Sequence, residues 1–330
     1  MTKFIIKLII FFGIIVGIWF LISVISGNGT DNKTFVIQEG QGVNKVSSEL
    51  YDSNLIKNKF VFETWLWLKK SESKVIAGVY EIPKNISIRH LSNLLVLGPG
   101  QSQYAVTLLE GWTRDLMRDT LVKAELDGDK FMILSSKASD WQEDYDFLSD
   151  TPNRASLEGY IFPDTYFVDQ LTSEEDLIRK ALNNFDRKLT QELRDEIALQ
   201  GKTIFEVVNL ASIIEREVPQ YDDKRMIADV FLKRLEANIG LQSDATVNYV
   251  TGKGLAQPSY ADLEIDSPYN TYKYRGLPPG PISNPGIDSI KAVVYPTNNN
   301  YYYFLTTHEG EVIYSLDYDE HLRNKAQYLD

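Results

Sequence analysis

IFEVVNLASIIEREV, residues 204–218, is the stretch that decides how the larger part of this chain folds. Its apolar residues recur at the three-to-four-residue spacing of one helix face, at Val207, Leu210, Ala211, Ile214 and Val218. Such spacing is typical of an amphipathic helix with one buried face. We therefore expect a core helix over residues 204–218, with the rest of a domain packed around it.

Two glutamates lie at the end of this predicted helix. Glu215 and Glu217 are two positions apart, so they point to nearly opposite sides and do not form one acid/base pair. A step of about 100° per residue places Glu217 nearer the centre of the apolar face. A carboxyl group against apolar walls has a raised pKa and stays protonated near neutrality, as a general acid must. Glu217 is therefore the candidate acid, and the competing interpretation makes both glutamates surface charges at a fraying helix end.

Three polar, aromatic and turn-rich stretches accompany this helix. They are EGYIFPDT at residues 158–165, residues 241–244 with Tyr249, and residues 269–272 followed by GLPPGPISNPG at 276–286. Loops of this composition commonly line a sugar cleft, where aromatic faces stack on pyranose rings. Tyr160 and Tyr272 are the candidates for stacking. The alternative is that these segments are simple turns and that both tyrosines belong to the core.

Composition excludes several classes of function. The 34 Lys and Arg residues against 46 Asp and Glu give a formal net charge of -12, which argues against binding to nucleic acid. The chain has no cysteine and three widely separated histidines, so we expect neither a metal site nor a cofactor. It also lacks the G-x-S-x-G, P-loop and H-E-x-x-H motifs. Carboxylates remain as the candidate catalytic groups.

The N-terminal segment is almost wholly apolar from residue 4 to residue 25, FIIKLIIFFGIIVGIWFLISVI. Roughly 20 such residues in a helix span a hydrocarbon core of about 30 Å. Lys3 and Lys7 precede or begin the span, and this positive charge predicts that the N-terminus stays in the cytoplasm. We expect a single-pass membrane protein whose remainder is extracytoplasmic; a cleaved signal peptide is the competing interpretation.

The chain is predicted to have α+β architecture in four parts. Residues 1–26 form the cytoplasmic stub and membrane helix, 27–33 a polar linker, 34–100 a small α+β module and 101–330 a larger α+β domain. In the module, strands are expected at 35–37 and 78–82, with helices at 43–51, 59–70 and 87–97. In the larger domain, a strand is expected at 104–109, with helices at 113–125, 173–189 and 204–218.

Four segments together resemble a known family: ASIIERE at 211–217, LEGYIFPDTY at 157–166, LQSDATVNY at 241–249 and YNTYKYRGLPPGPISNPG at 269–286. They are similar to those of the MltG/YceG-like endolytic murein transglycosylases. The resemblance implies a LysM-like module over 34–100 and a YceG-like catalytic domain over 101–330. It implies that Glu217, the second glutamate of its motif, is catalytic. It also implies substrate-binding roles for Glu158, Asp164, Gln242, Ser243, Asp244, Asn270 and Tyr272, beside the aromatic candidate Tyr160.

The activity that this resemblance implies is lytic cleavage of the bond between N-acetylmuramic acid and N-acetylglucosamine in nascent glycan strands. The products implied are anhydro-muramyl ends, and this cleavage would terminate the elongation of the strand. Expected partners are peptidoglycan strands, the cytoplasmic membrane and wall synthases. Two alternatives stay open: a non-catalytic peptidoglycan-binding or division scaffold, and a muramidase that pairs Glu217 with Asp164 or Asp244 and uses water.

Overall fold

The computed structural model describes the backbone of residues 2–99, 104–169, 172–254 and 257–329, and within them the side chains of all but residues 2–12 and Tyr104. The chain divides into two compact units, Met1–Tyr104 with Phe167–Thr172, and Ala105–Tyr166 with Ser173–Asp330. The predicted boundary between residues 100 and 101 lies outside the described residues. Both units mix helices with two-stranded sheets, so the α+β prediction is confirmed.

The first unit contains four α-helices and four strands among its described residues. The helices are α1 (Thr2–Ile25), α2 (Val43–Asp52), α3 (Lys59–Leu68) and α4 (Ile88–Leu97). The strands are β1 (Gly27–Asn28), β2 (Lys33–Ile37), β3 (Gly78–Ile82) and β4 (Ile86–Ser87). β2 pairs antiparallel with β3, and alternate residues of both strands are buried, as period-two patterning requires: Phe35, Ile37, Tyr80 and Ile82. The side chains of Asn58 and Ser87 cap α3 and α4.

The end of α1 is built into this unit. Val24 is 1% exposed and belongs to the same hydrophobic core as Phe35 and Leu50. Immediately after the helix, Gly27–Asn28 pairs antiparallel with Ile86–Ser87. Backbone pairing with β4 therefore fixes the first two residues of the polar linker predicted over residues 27–33.

Among the residues whose side chains the structure describes, no single helix is both long and apolar enough to cross a membrane, and Gly13–Ile25 forms a shorter apolar helix. A pair of helices bent by 100°, Gln191–Leu199 and Ile204–Ile214, meets the length and composition requirement together.

The second unit holds ten α-helices and parts of two two-stranded sheets among its described residues. The strands are β5 (Tyr104–Thr107), which pairs with β6 (Thr165–Val168), and β7 (Tyr303–Thr306), which pairs antiparallel with β8 (Val312–Ser315). The helices are α5 (Arg114–Lys123), α6 (Gly128–Leu134), α7 (Glu174–Lys188), α8 (Gln191–Leu199), α9 (Ile204–Ile214), α10 (Tyr221–Glu236), α11 (Asp244–Thr251), α12 (Tyr260–Leu263), α13 (Ile287–Val294) and α14 (Tyr318–Tyr328).

Helix α9 is the core helix of this unit. Thr203 and Glu206 form a capping box at its start, and every residue from Val207 to Ile214 is buried. α9 packs against α10 and α13. The prediction of a helix to residue 218 is wrong at the C-terminal end, because residues 215–217 form a tighter turn ahead of Pro219. The residue before a proline disfavours helical geometry, which explains why α9 ends early.

Candidate active site

Glu217 is positioned by the turn that ends α9. Its backbone N–H donates to the carbonyl oxygen of Ile214 at 3.1 Å, a three-residue closure that turns the chain out of the helix. The Glu217 side chain is half-buried and lines a cleft of about 560 Å³. We call this the Glu217 cleft. The turn, and not the helical face on which the sequence prediction relied, directs this carboxyl group.

The pKa of Glu217 is raised to about 7, chiefly because burial disfavours the ionised form. The charge of Asp244 raises it further, whereas the hydrogen bond from Ser243 and the charges of Arg234 and Arg216 lower it. A carboxyl group with this pKa is protonated in about half of the molecules at neutral pH, and its conjugate base is equally accessible. It can therefore both give and take a proton.

Ser243 holds the Glu217 carboxyl. Its hydroxyl donates to Glu217 Oε1 at 2.5 Å, and among the described residues it is the hydrogen-bond partner of that carboxyl. Ser243 is also the N-cap residue of α11, yet its side chain makes no capping hydrogen bond. The hydroxyl that would ordinarily satisfy the helix terminus is thus used to orient the acid.

The loop that carries Ser243 is fixed from behind by Thr271. Thr271 Oγ1 accepts the Ser243 backbone N–H at 3.0 Å, and its carbonyl oxygen accepts the N–H of Gln242 at 3.2 Å. Gln242 adopts a left-handed backbone with φ of 50° and its exposed side chain lines the cleft. Thr271 is 1% exposed and was missed from sequence, although it lies within the YNTY segment.

Asp244 and Tyr272 form a second polar pair in the cleft. The Tyr272 hydroxyl donates to Asp244 Oδ1 at 2.6 Å, and both residues line the cleft. Burial raises the pKa of Asp244, and the hydrogen bond from Tyr272 lowers it. Asn270 precedes Tyr272 by two residues, but its side-chain nitrogen binds other groups. Its Nδ2 donates to the carbonyl oxygens of Leu263 and Ile265. Asn270 therefore supports the loop and does not line the cleft.

The remaining wall is aromatic and cationic, and sequence reasoning missed it. Arg234 of α10 is 5% exposed, donates to the carbonyl oxygens of Tyr302 and Leu241, and lies 4.8 Å above the Tyr303 ring. The hairpin of β7 and β8 and helix α14 contribute the other lining residues of this wall, which include Tyr303, Phe304, Tyr318, His321 and Lys325. The run of three tyrosines at residues 301–303 is the signal in the sequence that could have indicated this wall.

Glu158 lies in a separate network that does not contribute to the cleft lining. Its two carboxylate oxygens accept the Arg114 backbone N–H at 3.0 and 3.2 Å, and Oε1 accepts Asn284 Nδ2 at 2.7 Å. Asn284 Oδ1 in turn accepts the N–H groups of Gly159 and Ile161. We call this set the Glu158–Asn284 network. It ties the start of α5 to two of the motif loops.

Burial also raises the pKa of Glu158 to about 7, while the Arg114 N–H and charge and the Asn284 amide oppose that rise. Asn284 itself is 0% exposed and its Nδ2 also donates to the carbonyl oxygen of Trp112 at 2.9 Å. The sequence predicted the Asn-Pro-Gly segment to be part of a cleft-lining loop, with a simple turn as the alternative. Its asparagine is in fact a four-way hydrogen-bond junction.

The other two predicted site residues also lie outside the cleft lining. Tyr160 is 0% exposed, with its ring packed against Phe147 and Phe185 and its hydroxyl bonded to Thr151, so the alternative of a core tyrosine describes it. Asp164 is exposed and accepts the Asn184 amide at 2.8 Å. Asp244 is therefore the predicted second carboxylate that shares the cleft with Glu217.

Glu215 is enclosed as well, contrary to the interpretation of surface charges. Its Oε1 accepts Lys224 Nζ at 2.9 Å in a nearly buried ion pair. Its Oε2 accepts the Gly286 N–H and the Ser289 hydroxyl at the start of α13. Glu215 thus joins α9, α10 and α13, while Glu217 is left for the cleft.

The arrangement defines a class of site: an α+β domain with a half-buried carboxyl group of raised pKa in an aromatic-walled cleft. Among the described residues no group of three or more His, Asp or Glu side chains is arranged to hold a metal ion. The YceG-like family matches residues 35–327. The chain belongs to the YceG-like family.

Relatives agree with this assignment. The endolytic murein transglycosylase of Bacillus subtilis is 33% identical over 313 residues, which are 91% of this chain and 86% of the relative. The endolytic murein transglycosylase of Streptococcus pneumoniae strain D39 is 31% identical over 334 residues, and this chain spans 60% of its length. A crystal structure of a yceG-like protein from Listeria monocytogenes matches with a TM-score of 0.62 and 31% identity, covering 89% of this chain and 99% of that one.

Proposed function

We propose that this chain is an endolytic peptidoglycan lytic transglycosylase whose acid/base is Glu217. The observation that carries the proposal is one carboxyl group, with a pKa of about 7, held by Ser243 at the edge of a 560 Å³ cleft. The names of the bacterial relatives support the reaction class. The substrate would be a glycan strand of alternating N-acetylglucosamine and N-acetylmuramic acid.

The proposed chemistry uses Glu217 twice. The protonated carboxyl first gives its proton to the oxygen that bridges muramic acid to N-acetylglucosamine, and the C1–O bond breaks. The carboxylate then takes the proton of the muramyl 6-hydroxyl, whose oxygen bonds to C1 and closes a 1,6-anhydro ring. The proton lost in the first step is regained in the second, and no water is consumed. The single carboxyl hydrogen-bonded by Ser243 suits this cycle, since a pKa near 7 leaves both forms populated.

Gln242, Ser243, Asp244 and Tyr272 are proposed to hold the substrate, because all four line the cleft together with Glu217. Fixing the muramyl hydroxymethyl group near C1 can lower the barrier by several kcal/mol. Glu158, Tyr160, Asp164 and Asn270 are proposed to act indirectly, by fixing the loops, since their side chains bind protein groups instead.

Location and the small module complete the proposal. We propose that α1 anchors the protein in the cytoplasmic membrane by a single pass, with the N-terminus inside and the second unit outside. The apolar sequence of residues 4–25 supports this. The paired β2 and β3 strands with three helices support a LysM-like, glycan-binding module over residues 34–100. In this setting the enzyme would cut strands beside the wall synthases that make them.

The test is cleavage of purified sacculi by the full-length protein in mild detergent, compared with Glu217→Gln. The Glu236→Gln variant is the matched control, because Glu236 is an exposed glutamate on α10. We expect wild type and Glu236→Gln to release ends one water lighter than reducing ends, and long fragments to dominate early digests. Glu217→Gln should lose at least about a thousandfold of the rate, as expected when an acid/base group is removed.

Other outcomes would decide between the alternatives. Reducing ends would establish a muramidase that uses water, with Asp244 as its second carboxylate. Binding of sacculi without any cleavage by wild type would establish a scaffold. Equal cleavage by wild type and Glu217→Gln would remove Glu217 from the chemistry.

A further inference from the structure

Helix α14 presents one face to the Glu217 cleft. His321 and Lys325 are four residues apart, so they lie on the same side of the helix, and both line the cleft with Tyr318 and Leu329. The helix is held by the Asp317 cap at its start and by Asn324 Nδ2, which donates to Ser315 Oγ at 2.9 Å. None of its residues is fully buried. Its side chains therefore line the cleft and are not packed into the core.

The cleft is enriched in cations although the protein is acidic. The whole chain carries a formal charge of -12, yet its cleft lining contains Arg216, Arg234 and Lys325 against the carboxyl groups of Glu217 and Asp244. In the reactive state Glu217 is protonated and adds no charge. A concave site of net positive charge attracts anions, because its low-dielectric walls focus the field.

Lys325 is the cation among these three that protein groups leave available. The Arg216 guanidinium donates to the carbonyl oxygen of Gly111, and that of Arg234 to those of Tyr302 and Leu241. The described residues form no hydrogen bond or ion pair with the Lys325 ammonium. Burial raises the pKa of Asp244, and the charge of Lys325 across the cleft lining acts to lower it. An exposed lysine at a cleft wall can reach a ligand carboxylate through its flexible stem.

Stacked rings connect α14, the helix that carries Lys325, to Arg234 of α10. The Arg234 guanidinium lies 4.8 Å from the Tyr303 ring, and His321 stacks on the same ring at 5.4 Å. Burial and the charges of Arg234 and Lys325 lower the pKa of His321, which keeps this imidazole neutral. The histidine is thus a wall element that fixes α14 against the β7 strand.

We propose that Lys325 forms an anion subsite that binds a carboxylate on the muramic acid side of the substrate. This inference rests on the function proposed above and names a determinant of its specificity. Of the two sugars in the strand, only muramic acid bears an ionisable group. A cation at a fixed place in the cleft therefore selects which of the two alternating bonds is presented to Glu217. The carboxylate is either that of the lactyl ether on peptide-free strands or one on the stem peptide.

Steady-state kinetics of the full-length protein tests this subsite. The variants are Lys325→Gln, Lys325→Arg and, as a control from the same helix, Arg323→Gln, whose residue is exposed and outside the cleft lining. The substrates are peptide-free strands, the same strands with their carboxylates converted to neutral methylamides, and peptide-bearing strands. We expect Lys325→Gln to raise KM about five- to tenfold with kcat within twofold, and the other two variants to match wild type.

The substrate arms identify the source of the carboxylate. A Lys325→Gln effect on peptide-free strands that vanishes on the methylamide strands supports the lactyl carboxylate. An effect confined to peptide-bearing strands supports a stem carboxylate. In either case added salt should weaken the binding of anionic strands to the wild-type protein more than their binding to Lys325→Gln. An unchanged KM on every substrate, or an equal loss on neutral strands, would overturn the proposal.

Binding measurements separate this inference from the proposed reaction. Strand affinity is measured at equilibrium in the Glu217→Gln background, with and without Lys325→Gln. If wild type makes no anhydro ends but the Lys325 change still weakens binding of anionic strands, the subsite stands and the reaction fails. If anhydro ends appear and the Lys325 change leaves binding unaltered, the reaction stands and the subsite fails.

Discussion

Glu217 and Glu158 are both enclosed carboxyl groups whose pKa burial raises to about 7, yet they lie in regions of different construction. The Glu217 carboxyl group accepts one hydrogen bond, from the Ser243 hydroxyl, and it faces a cleft of about 560 Å³. Glu158 is 5% exposed and accepts hydrogen bonds from the Arg114 backbone N–H and from the Asn284 side-chain amide.

A raised pKa therefore accompanies two different functions in these two regions. In the Glu158–Asn284 network, donors surround the carboxyl group and connect segments far apart in sequence. In the Glu217 cleft, one donor orients the carboxyl and open space remains for a ligand. A raised pKa therefore identifies burial, and the surrounding donors and space determine whether the proton can reach a substrate.

The largest expected effect breaks the network without touching the cleft. Asn284→Leu removes the side-chain hydrogen bonds to Glu158, Gly159, Ile161 and Trp112, and it leaves the buried N–H groups of Gly159 and Ile161 without their acceptor. We expect the free energy of unfolding to fall by about 4 kcal/mol. Urea denaturation of the full-length protein in detergent measures it. Asn300→Leu, at an exposed asparagine, should cost less than about 0.5 kcal/mol; equal losses would remove the network's structural role.

The next effect concerns pH. For both glutamates the folded pKa lies above the ordinary value of 4.5, so the folded state keeps protons that the unfolded chain has lost. The contribution of each of these two groups to stability is therefore greatest below pH 4.5 and falls as pH rises to about 7, by at most about 3 kcal/mol per group. Glu217→Gln and Glu158→Gln should each flatten this fall.

The two variants should differ at pH 5. At this pH the free energy of unfolding of Glu158→Gln should be roughly 1–2 kcal/mol lower than that of wild type, because an amide NH2 replaces an oxygen that accepts the Arg114 N–H. Glu217→Gln keeps an oxygen for Ser243 and should match wild type within about 0.5 kcal/mol. Denaturation series from pH 4.5 to 8 measure both. A Glu217→Gln variant with an unchanged slope would contradict the raised pKa of Glu217.

A smaller effect sharpens the role of Ser243. In Ser243→Ala the hydrogen bond that lowers the pKa of Glu217 is lost, so the alkaline limb of the pH–rate profile should move up by about half a pH unit. The maximal rate should fall roughly tenfold, because the carboxyl is no longer oriented. Ser283→Ala is the control: Ser283 is a buried serine that donates to the Ser212 carbonyl oxygen at 2.9 Å. A limb that moves equally in both variants would show a general effect.

The smallest effect separates a positioning carboxylate from a catalytic one. Asp244→Asn keeps an oxygen for the Tyr272 hydroxyl, so we expect kcat/KM to fall only about fivefold with anhydro ends unchanged. Asp266→Asn is a matched control, because Tyr274 donates to Asp266 at 2.6 Å in an exposed pair. Its kinetics should equal wild type. Loss of all activity in Asp244→Asn, with reducing ends from wild type, would favour the muramidase.

Local structure followed closely from sequence where periodicity and capping agreed. The helices predicted from Ser87, Thr113 and Ser173 begin with those residues as caps. The helix predicted to residue 218 ends at Ile214. Pro219 disfavours helical geometry at Val218, and Glu215 is held by tertiary partners that no local pattern reveals. Strand β3 has the predicted bounds.

The candidate site followed from sequence only in part, for a physical reason. A polar residue in a motif carries no mark of its partner, so a loop-fixing side chain and a ligand-facing one look alike. Gln242, Ser243, Asp244 and Tyr272 line the cleft with Glu217, whereas Glu158, Tyr160, Asp164 and Asn270 bind protein groups elsewhere. The wall of α14 lies about a hundred residues beyond Glu217 in sequence, and only the folded chain brings it near.

The insertion of α1 into the first unit affects how this protein can be shortened. Val24 fills a place in the module's core, and Gly27–Asn28 is the strand that pairs with Ile86–Ser87. A truncated protein that starts after the apolar helix would lack the Val24 side chain and leave a cavity in that core, at a cost of about 1–3 kcal/mol. Glycan affinities measured on such a fragment would then describe a loosened module, so the cut is better made ahead of Phe20 than behind Ile25.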